Sequence, residues 1–180
     1  PYTTLFRSSL RMFLFDFGRA DSGRDIAHEI KRRAGPSLAL AVPSFVVGLG
    51  LSIIFALGLA FFRASYLDFW GSVLCVVLMS ISSLFFIVAG QFLFSRLMQL
   101  LPVSGFSHGT DAWRFLLLPI LIAIVARLGS ETRFHRSIFL EEIGKDYVRT
   151  ARAKGLGEAT VLFVHVLRNA MIPILSASVA

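Results

Sequence analysis

The feature that most constrains the fold is an apolar run from Leu38 to Phe62, which contains no charged residue and is closed by Arg63. As an α-helix this run would be about 37 Å long, enough to cross a hydrocarbon layer of about 30 Å with some tilt. Small side chains recur at every fourth position, at Gly48, Ser52, Ala56 and Ala60. In lipid such a stripe lets another helix approach closely, although chance in a Gly- and Ala-rich span explains it equally well.

Two further runs are candidates for membrane spans. The run 71–94 is long enough, and its serines can return their hydroxyl groups to the backbone. The third run has an apolar centre of only twelve residues, and it reaches membrane thickness when extended to 113–129, with Trp113 as an interfacial anchor. The sequence therefore predicts three transmembrane helices, at about 38–62, 71–94 and 113–129.

The composition supports a membrane protein. Of the 180 residues, 56% are hydrophobic and only 16% are charged, whereas about a quarter of the residues in a soluble domain are charged. The net charge of +7 is assigned to loops that face lipid headgroups and cytosol, so lipid is an expected partner and nucleic acid is not. The single cysteine, Cys75, lies in an apolar run and allows no disulfide within the chain. The predicted fold class is an all-α, polytopic integral membrane protein.

The ends of the chain indicate a fragment of a longer protein, since it begins at Pro1 rather than Met and stops at Ala180 within an apolar stretch. Residues 1–37 are polar and basic and are predicted to lie outside the membrane or at its interface, where 24–33 would form an interfacial helix. Residues 1–10 match no recognisable pattern, and an origin outside the native sequence is left open for them.

The stretch 127–154 carries seven basic residues, whose transfer into hydrocarbon would cost roughly 2.5–3.5 kcal/mol each, so it is predicted to lie in water. Apolar residues at helical spacing predict one helical face there, formed by Leu140, Ile143, Tyr147 and Ala151. Gly155 and Gly157 are predicted to end this helix, and a second helix comes after them. The apolar face is interpreted as a ridge that enters a groove on a partner protein, with a simple topology anchor as the alternative.

A family resemblance rests on this segment. The sequence DYVRTARAKGL at 146–156, followed by HVLRNA at 165–170 and by Pro173, closely resembles the cytoplasmic loop of ABC transporter permease subunits of the dipeptide/oligopeptide class. Arg149-Thr150-Ala151 stands where the general permease pattern has Glu-Ala-Ala, and Gly155 matches the glycine of that pattern. Together with an upstream match at 15–19, the resemblance covers residues 15–180.

The resemblance implies a transport subunit of a bacterial inner membrane, multi-pass and not itself an enzyme, with no cofactor. Such a subunit pairs with a second permease subunit, docks on two ATPase subunits that hydrolyse ATP, and receives substrate from an extracytoplasmic solute-binding protein. It further implies a cytoplasmic coupling loop at 130–169 and the start of another span at 170–180. The implied cargo is a peptide, with nickel chelates or peptide-like antibiotics as alternatives. The ATPase-coupling residues that it implies are Leu140, Ile143, Asp146, Tyr147, Arg149, Thr150, Ala151, Lys154, Gly155 and Leu156.

Other interpretations remain beside this one. The Lys and Arg count is almost equal on the two sides of the membrane, so charge alone does not set the orientation. A channel or scaffold protein whose basic loop holds anionic lipid is the second hypothesis. The sequence predicts no catalytic or metal site, because the four histidines lack metal-ligand spacing and no nucleophile–base pair is visible, as a membrane-bound hydrolase would require. Gly144-Lys145-Asp146 lacks the other residues of a phosphate loop.

Overall fold

The computed structural model describes residues 26–97 and 112–179. Every regular element in these two ranges is a helix, which confirms the all-α class. In chain order the helices are α1 (Ile26–Phe61), α2 (Tyr66–Ser80), α3 (Ser83–Gln91, continued by the π-helical turn Phe92–Leu97), α4 (Ala112–Ile143), α5 (Asp146–Ala153) and α6. Helix α6 covers 158–179 and consists of α-helical Glu158–Thr160, π-helical Val161–Val166 and α-helical Leu167–Val179.

The chain divides into two compact units, residues 1–42 and 43–180. The described part of the first unit is the helical segment 26–42, in which Glu29 and Arg33 form an ion pair of 2.7 Å one turn apart. Most of the predicted polar segment 1–37, including residues 1–10 and the first part of the predicted interfacial helix, lies outside the described residues. The second unit contains the rest of α1 and the helices α2 to α6.

The predicted single span 71–94 is broken in the structure. Helix α2 ends at Ser80, and the axis turns by 90° before α3 begins. The Ser82 hydroxyl caps α3 by accepting a hydrogen bond of 3.3 Å from the Leu84 amide. Serine side chains compete with the helical backbone ladder in this way, which is why the break falls in the serine-rich stretch 80–83. The Ser80 hydroxyl returns to the Val76 carbonyl, as expected.

The third predicted span, 113–129, is only the first part of the 32-residue helix α4. The helix continues past the predicted span to Ile143, because the charges beyond residue 129 do not interrupt it. Arg127 pairs with Glu131 at 2.8 Å, an i,i+4 contact that supports helical backbone. By length and composition α1, α4 and α6 can each cross a membrane, and the α2–α3 pair would add a fourth crossing if its halves form one span.

The small-residue stripe of α1 packs against other helices, as predicted. Gly48, Ser52, Ala56 and Ala60 are all buried. The Ser52 hydroxyl donates to the Leu49 carbonyl at 2.9 Å and lies 3.1 Å from Nδ1 of the buried His135 on α4. Toward the C-terminus of α1, Ala56 and Ala60 belong to one apolar core with residues of α4, α5 and α6.

Helices α2 and α4 approach each other closely at Gly129, where an added Cβ would lie 2.6 Å from the Cys75 carbonyl oxygen. An ion pair joins the same helices near the start of α2. The Arg136 guanidinium donates from Nε to Asp68 Oδ1 at 2.9 Å and from Nη2 to Asp68 Oδ2 at 2.7 Å. This pair places the connection after α1, and with it Arg63, at the same end of the helices as Arg136.

Candidate functional site

The segment singled out by the sequence consists of two helices rather than one. The sequence predicted a single helix that carries an apolar face from Leu140 to Ala151. In the structure α4 ends at Ile143 and α5 begins at Asp146, separated by a turn at Gly144-Lys145. The amides of this turn bond back to the carbonyls of the last turn of α4 at 3.1 and 3.2 Å. The single-helix expectation is therefore wrong.

The apolar face lies inside the chain. Ile143 is 4% exposed and Ala151 is 7% exposed, and between them Val148 is completely buried. Leu140 and Tyr147 are partly buried and pack against the same core. Ile143 and Ala151 already contact the core of the same chain, so they have little surface left for a groove on a partner. A docking role for the partly exposed Leu140 and Tyr147 stays a prediction. Helical periodicity identifies an apolar face but does not tell whether its partner belongs to the same chain.

The opposite side of α5 and the turn after it are exposed, and we call this surface the outer face. The Asp146 and Arg149 side chains are 94% and 76% exposed, and they form a loose ion pair of 3.4 Å. The Thr150 hydroxyl donates to the Asp146 carbonyl at 3.0 Å. The outer face consists of Asp146, Arg149, Thr150, Lys154, Gly155 and Leu156. It contains the six predicted coupling residues that do not belong to the buried face.

Gly155 ends α5, as predicted. Its amide donates to the Arg152 carbonyl at 2.9 Å, and the Leu156 amide donates to the Ala151 carbonyl at 3.4 Å. These two bonds form a Schellman motif, which places Gly155 in the left-handed region at φ +79°. Gly157 then caps α6 with an ordinary φ of −64°. The two glycines therefore have different roles, since only Gly155 needs a conformation that L-residues disfavour.

An ion pair closes the turn from the side. Arg152, in the last turn of α5, donates to both carboxylate oxygens of Glu158 in the first turn of α6, at 2.7 and 3.1 Å. The pair joins the two helices across the glycines. Sequence reasoning did not identify this pair. A basic last turn followed by an acidic first turn is the signal that would have indicated the pair.

Glu142 fixes the other end of α5. Its side chain is largely buried at the end of α4, where Oε1 accepts from Lys145 and Oε2 accepts from the Tyr147 hydroxyl at 2.8 Å. The hydrogen bond with Glu142 raises the pKa of Lys145, and burial raises the pKa of Tyr147. Tyr147 and Asn169 of α6 both line a cleft of about 510 Å³. Sequence reasoning missed Glu142 and Asn169, because neither lies on the apolar face that drew attention.

The basic residues of this region are mostly paired. Of the seven between 127 and 154, five form ion pairs within the described chain: Arg127, Arg136, Lys145, Arg149 and Arg152. In the described ranges no three His, Cys, Asp or Glu side chains are grouped so that they could hold a metal ion. The arrangement is a short helix held rigidly against three long helices, with a polar surface turned outward.

Comparison with known proteins shows which family this chain resembles. Residues 48–180 match the family described as binding-protein-dependent transport system inner membrane component. A provisionally named peptide transport system permease protein of Brucella suis is 31% identical over 172 residues, which is 93% of this chain and 55% of the relative. A glutathione transport system permease protein of Salmonella typhimurium is 33% identical over 162 residues, covering 89% of this chain and 52% of the relative. The chain spans about half the length of the curated relatives it matches.

Proposed function

The chain belongs to the family of binding-protein-dependent transport system inner membrane components, and from this premise we propose that it is part of the permease subunit of an ATP-driven peptide importer. The relatives named for peptide and glutathione transport support a peptide as cargo. In this proposal the protein lies in a bacterial inner membrane and forms the substrate path with a second permease subunit. Two ATPase subunits bind on the cytoplasmic side, and a solute-binding protein delivers the peptide outside.

The observation that carries the proposal is the way in which α5 is attached to the neighbouring helices. Its apolar side contributes to the core shared with α1, α4 and α6, while its outer face is exposed. Glu142 ties the start of α5 to the end of α4, and the Arg152–Glu158 pair ties its end to the start of α6. We assign the contact with the ATPase to the outer face, and not to the apolar residues that the sequence had favoured.

The contacts at both ends of α5 explain how a motor subunit would act on the membrane helices. ATP can drive a change in the permease only if the ATPase binds its two states differently. Because α5 is connected at both ends through charged hydrogen bonds, a displacement of α5 carries the ends of α4 and α6 with it as a rigid body. Both helices are long enough to cross the membrane, so the movement reaches the substrate path.

The lipid-binding scaffold is the weaker hypothesis. A loop that holds anionic headgroups needs cations that are free to contact phosphate. Five of the seven basic residues in this region already pair with carboxylates of the described chain. Headgroups would have to displace these partners one by one, whereas an ATPase surface needs only the outer face.

Charge reversal on the outer face tests the proposal. Arg149→Glu combined with Lys154→Glu should weaken ATPase binding to the permease pair by about tenfold or more. In this proposal the two cations face negatively charged groups of the ATPase, and the introduced carboxylates would repel those groups. Arg63→Glu is the control, since it reverses one positive charge at the same end of the helices but outside α5, and each outer-face reversal is also compared with it singly. Equal ATPase affinity for the outer-face variant and for the Arg63 control would refute the assignment. Salt-sensitive binding to anionic vesicles, lost in the outer-face variant without any effect on the ATPase, would favour the scaffold.

A further inference from the structure

A cavity of about 190 Å³ lies between α1, α4 and α6, separate from the outer face of α5. Three polar side chains of α4 line it at successive helical turns, Arg127, Glu131 and His135. Ser44 of α1 and Ser178 of α6 line the opposite walls. His135 is buried and lies beside the Ser52 hydroxyl, so the innermost part of this polar stripe is fixed in place.

Exposed aromatic residues at the start of α2 indicate where the boundary between lipid and water lies relative to the cavity. Tyr66 and Trp70 are 86% and 64% exposed at the start of that helix, just after Arg63. Exposed aromatic rings beside a basic residue are typical of the boundary between lipid and water. The Asp68–Arg136 ion pair connects this level to α4. The boundary therefore crosses α4 near Arg136.

Arg127 lies deeper than this boundary. It precedes Arg136 by nine residues of the same helix, which corresponds to about 13 Å along the axis. The Arg127 side chain is nevertheless 67% exposed, whereas its partner Glu131 is only 24% exposed. A guanidinium at such depth is costly against acyl chains and marks a water-filled path in membrane proteins. The exposed guanidinium at this depth is what a water-filled path along this side of α4 would require.

We propose that Arg127 binds the main-chain carboxylate of the transported peptide as it passes, and that Glu131 positions the guanidinium for it; this inference rests on the proposed import function. Arginine has five N–H donors in a planar fork that matches a carboxylate. Glu131 Oε1 accepts from Nη2 at 2.8 Å, which orients the group and leaves the other donors for the substrate.

The size of the cavity fits an end group. A volume of about 190 Å³ equals that of about six water molecules, enough for a hydrated carboxylate but not for a whole peptide. The terminal carboxylate is common to all linear peptides whatever their side chains. A site for it would let one permease accept many sequences, while an amide or ester at the same end would be a poorer ligand.

The test uses the complete importer in proteoliposomes, with its binding protein at saturation, and measures uptake of one tripeptide as the free acid and as the C-terminal amide. Arg127→Gln should lower the acid-to-amide uptake ratio by about tenfold relative to wild type, and Arg127→Lys should restore part of it. Arg133→Gln is the control, because Arg133 lies on the same helix but contacts Met79 of α2 and does not line the cavity. The double variant Arg127→Gln/Glu131→Gln avoids leaving a half-buried carboxylate without its partner.

The failures of the two proposals are distinguishable. Absence of any ATP-dependent peptide uptake by the wild-type importer would overturn the import function and this site with it. Peptide uptake with a wild-type acid-to-amide ratio in both Arg127→Gln and the double variant would overturn the carboxylate site alone. Loss of assembly in both variants would also overturn it, since the pair would then have a purely structural role.

Discussion

Alanine at Gly155 perturbs the turn after α5 through backbone conformation alone. Gly155 has φ +79°, and a Cβ added there meets no atom within 4 Å, so the substitution creates no clash. An L-residue in the left-handed region costs about 1–2 kcal/mol. That cost reduces the population of the native turn, relative to alternatives, by a factor of about 5 to 30. The outer face would then be presented in the correct geometry for only part of the time.

The assay is the number of peptides transported per ATP hydrolysed by the reconstituted importer. Gly155→Ala should lower this coupling ratio while the membrane helices remain assembled, and Gly155→Val should lower it further because its branched side chain is stiffer. Gly157→Ala is the matched control, since Gly157 has φ −64° and an added Cβ there also meets nothing within 4 Å. Equal coupling ratios for Gly155→Ala and Gly157→Ala, or normal uptake by Gly155→Val, would refute the reasoning.

Three further predictions concern the support of α5 and α4. Gly129→Ala should lower the free energy of unfolding by about 1–3 kcal/mol, because its Cβ would lie 2.6 Å from the Cys75 carbonyl oxygen and force α2 and α4 apart. Asp68→Asn should lower it by about 2 kcal/mol, because it removes the charge that Arg136 contacts through two hydrogen bonds. The raised pKa of Lys145 means that its contribution to stability is complete below pH 10.5 and is lost as the pH rises through the higher folded-state pKa, which a pH series of thermal unfolding midpoints measures.

Each of these predictions has a control. Gly50→Ala adds a Cβ to α1 at a position with no atom within 4 Å of it, so it should leave the thermal midpoint in detergent unchanged or raise it. Exchanging the partners, with Asp68→Arg and Arg136→Asp together, should recover part of the loss seen with Asp68→Asn. In a Lys145→Met chain the alkaline fall of the midpoint should become smaller. An unchanged fall there would contradict the assigned cause.

Local patterns allowed the sequence to predict the features of this protein that depend on neighbouring residues. The stripe from Gly48 to Ala60 indicated a packed face of α1, because helical spacing alone places small residues together. The end of α5 at Gly155 was predictable from the need for a left-handed residue. The family was recognised from residues 146–156, which lie close together in the chain.

Features that depend on distant residues were missed. The Asp68–Arg136 pair joins residues 68 positions apart, and the approach of Gly129 to Cys75 depends on how two helices cross. Neither leaves a pattern in a single sequence. The continuation of α4 beyond residue 129 was not predicted, because an apolar run indicates how much of a helix can lie in lipid and not where the helix ends.

The apolar face from Leu140 to Ala151 shows the same limit at the site itself. The spacing was correct as a pattern, but its partner turned out to be the core of the same chain, with Val148 at its centre. The eight-residue helix α5 is amphipathic, and either of its two sides could contact another part of the chain or a partner protein. Only the tertiary structure tells which side is already covered, and here it leaves the polar side for a partner.

Accessibility of α5 from the two sides of the membrane tests the central claim most directly. Thr150→Cys, in a subunit from which the other cysteines have been removed, Cys75 by Cys75→Ala, places one thiol on the outer face. A membrane-impermeant maleimide should label this thiol in inverted vesicles and not in intact cells, and bound ATPase should slow the labelling. Labelling from the external side of intact cells, or a rate in inverted vesicles that the ATPase does not change, would contradict the account.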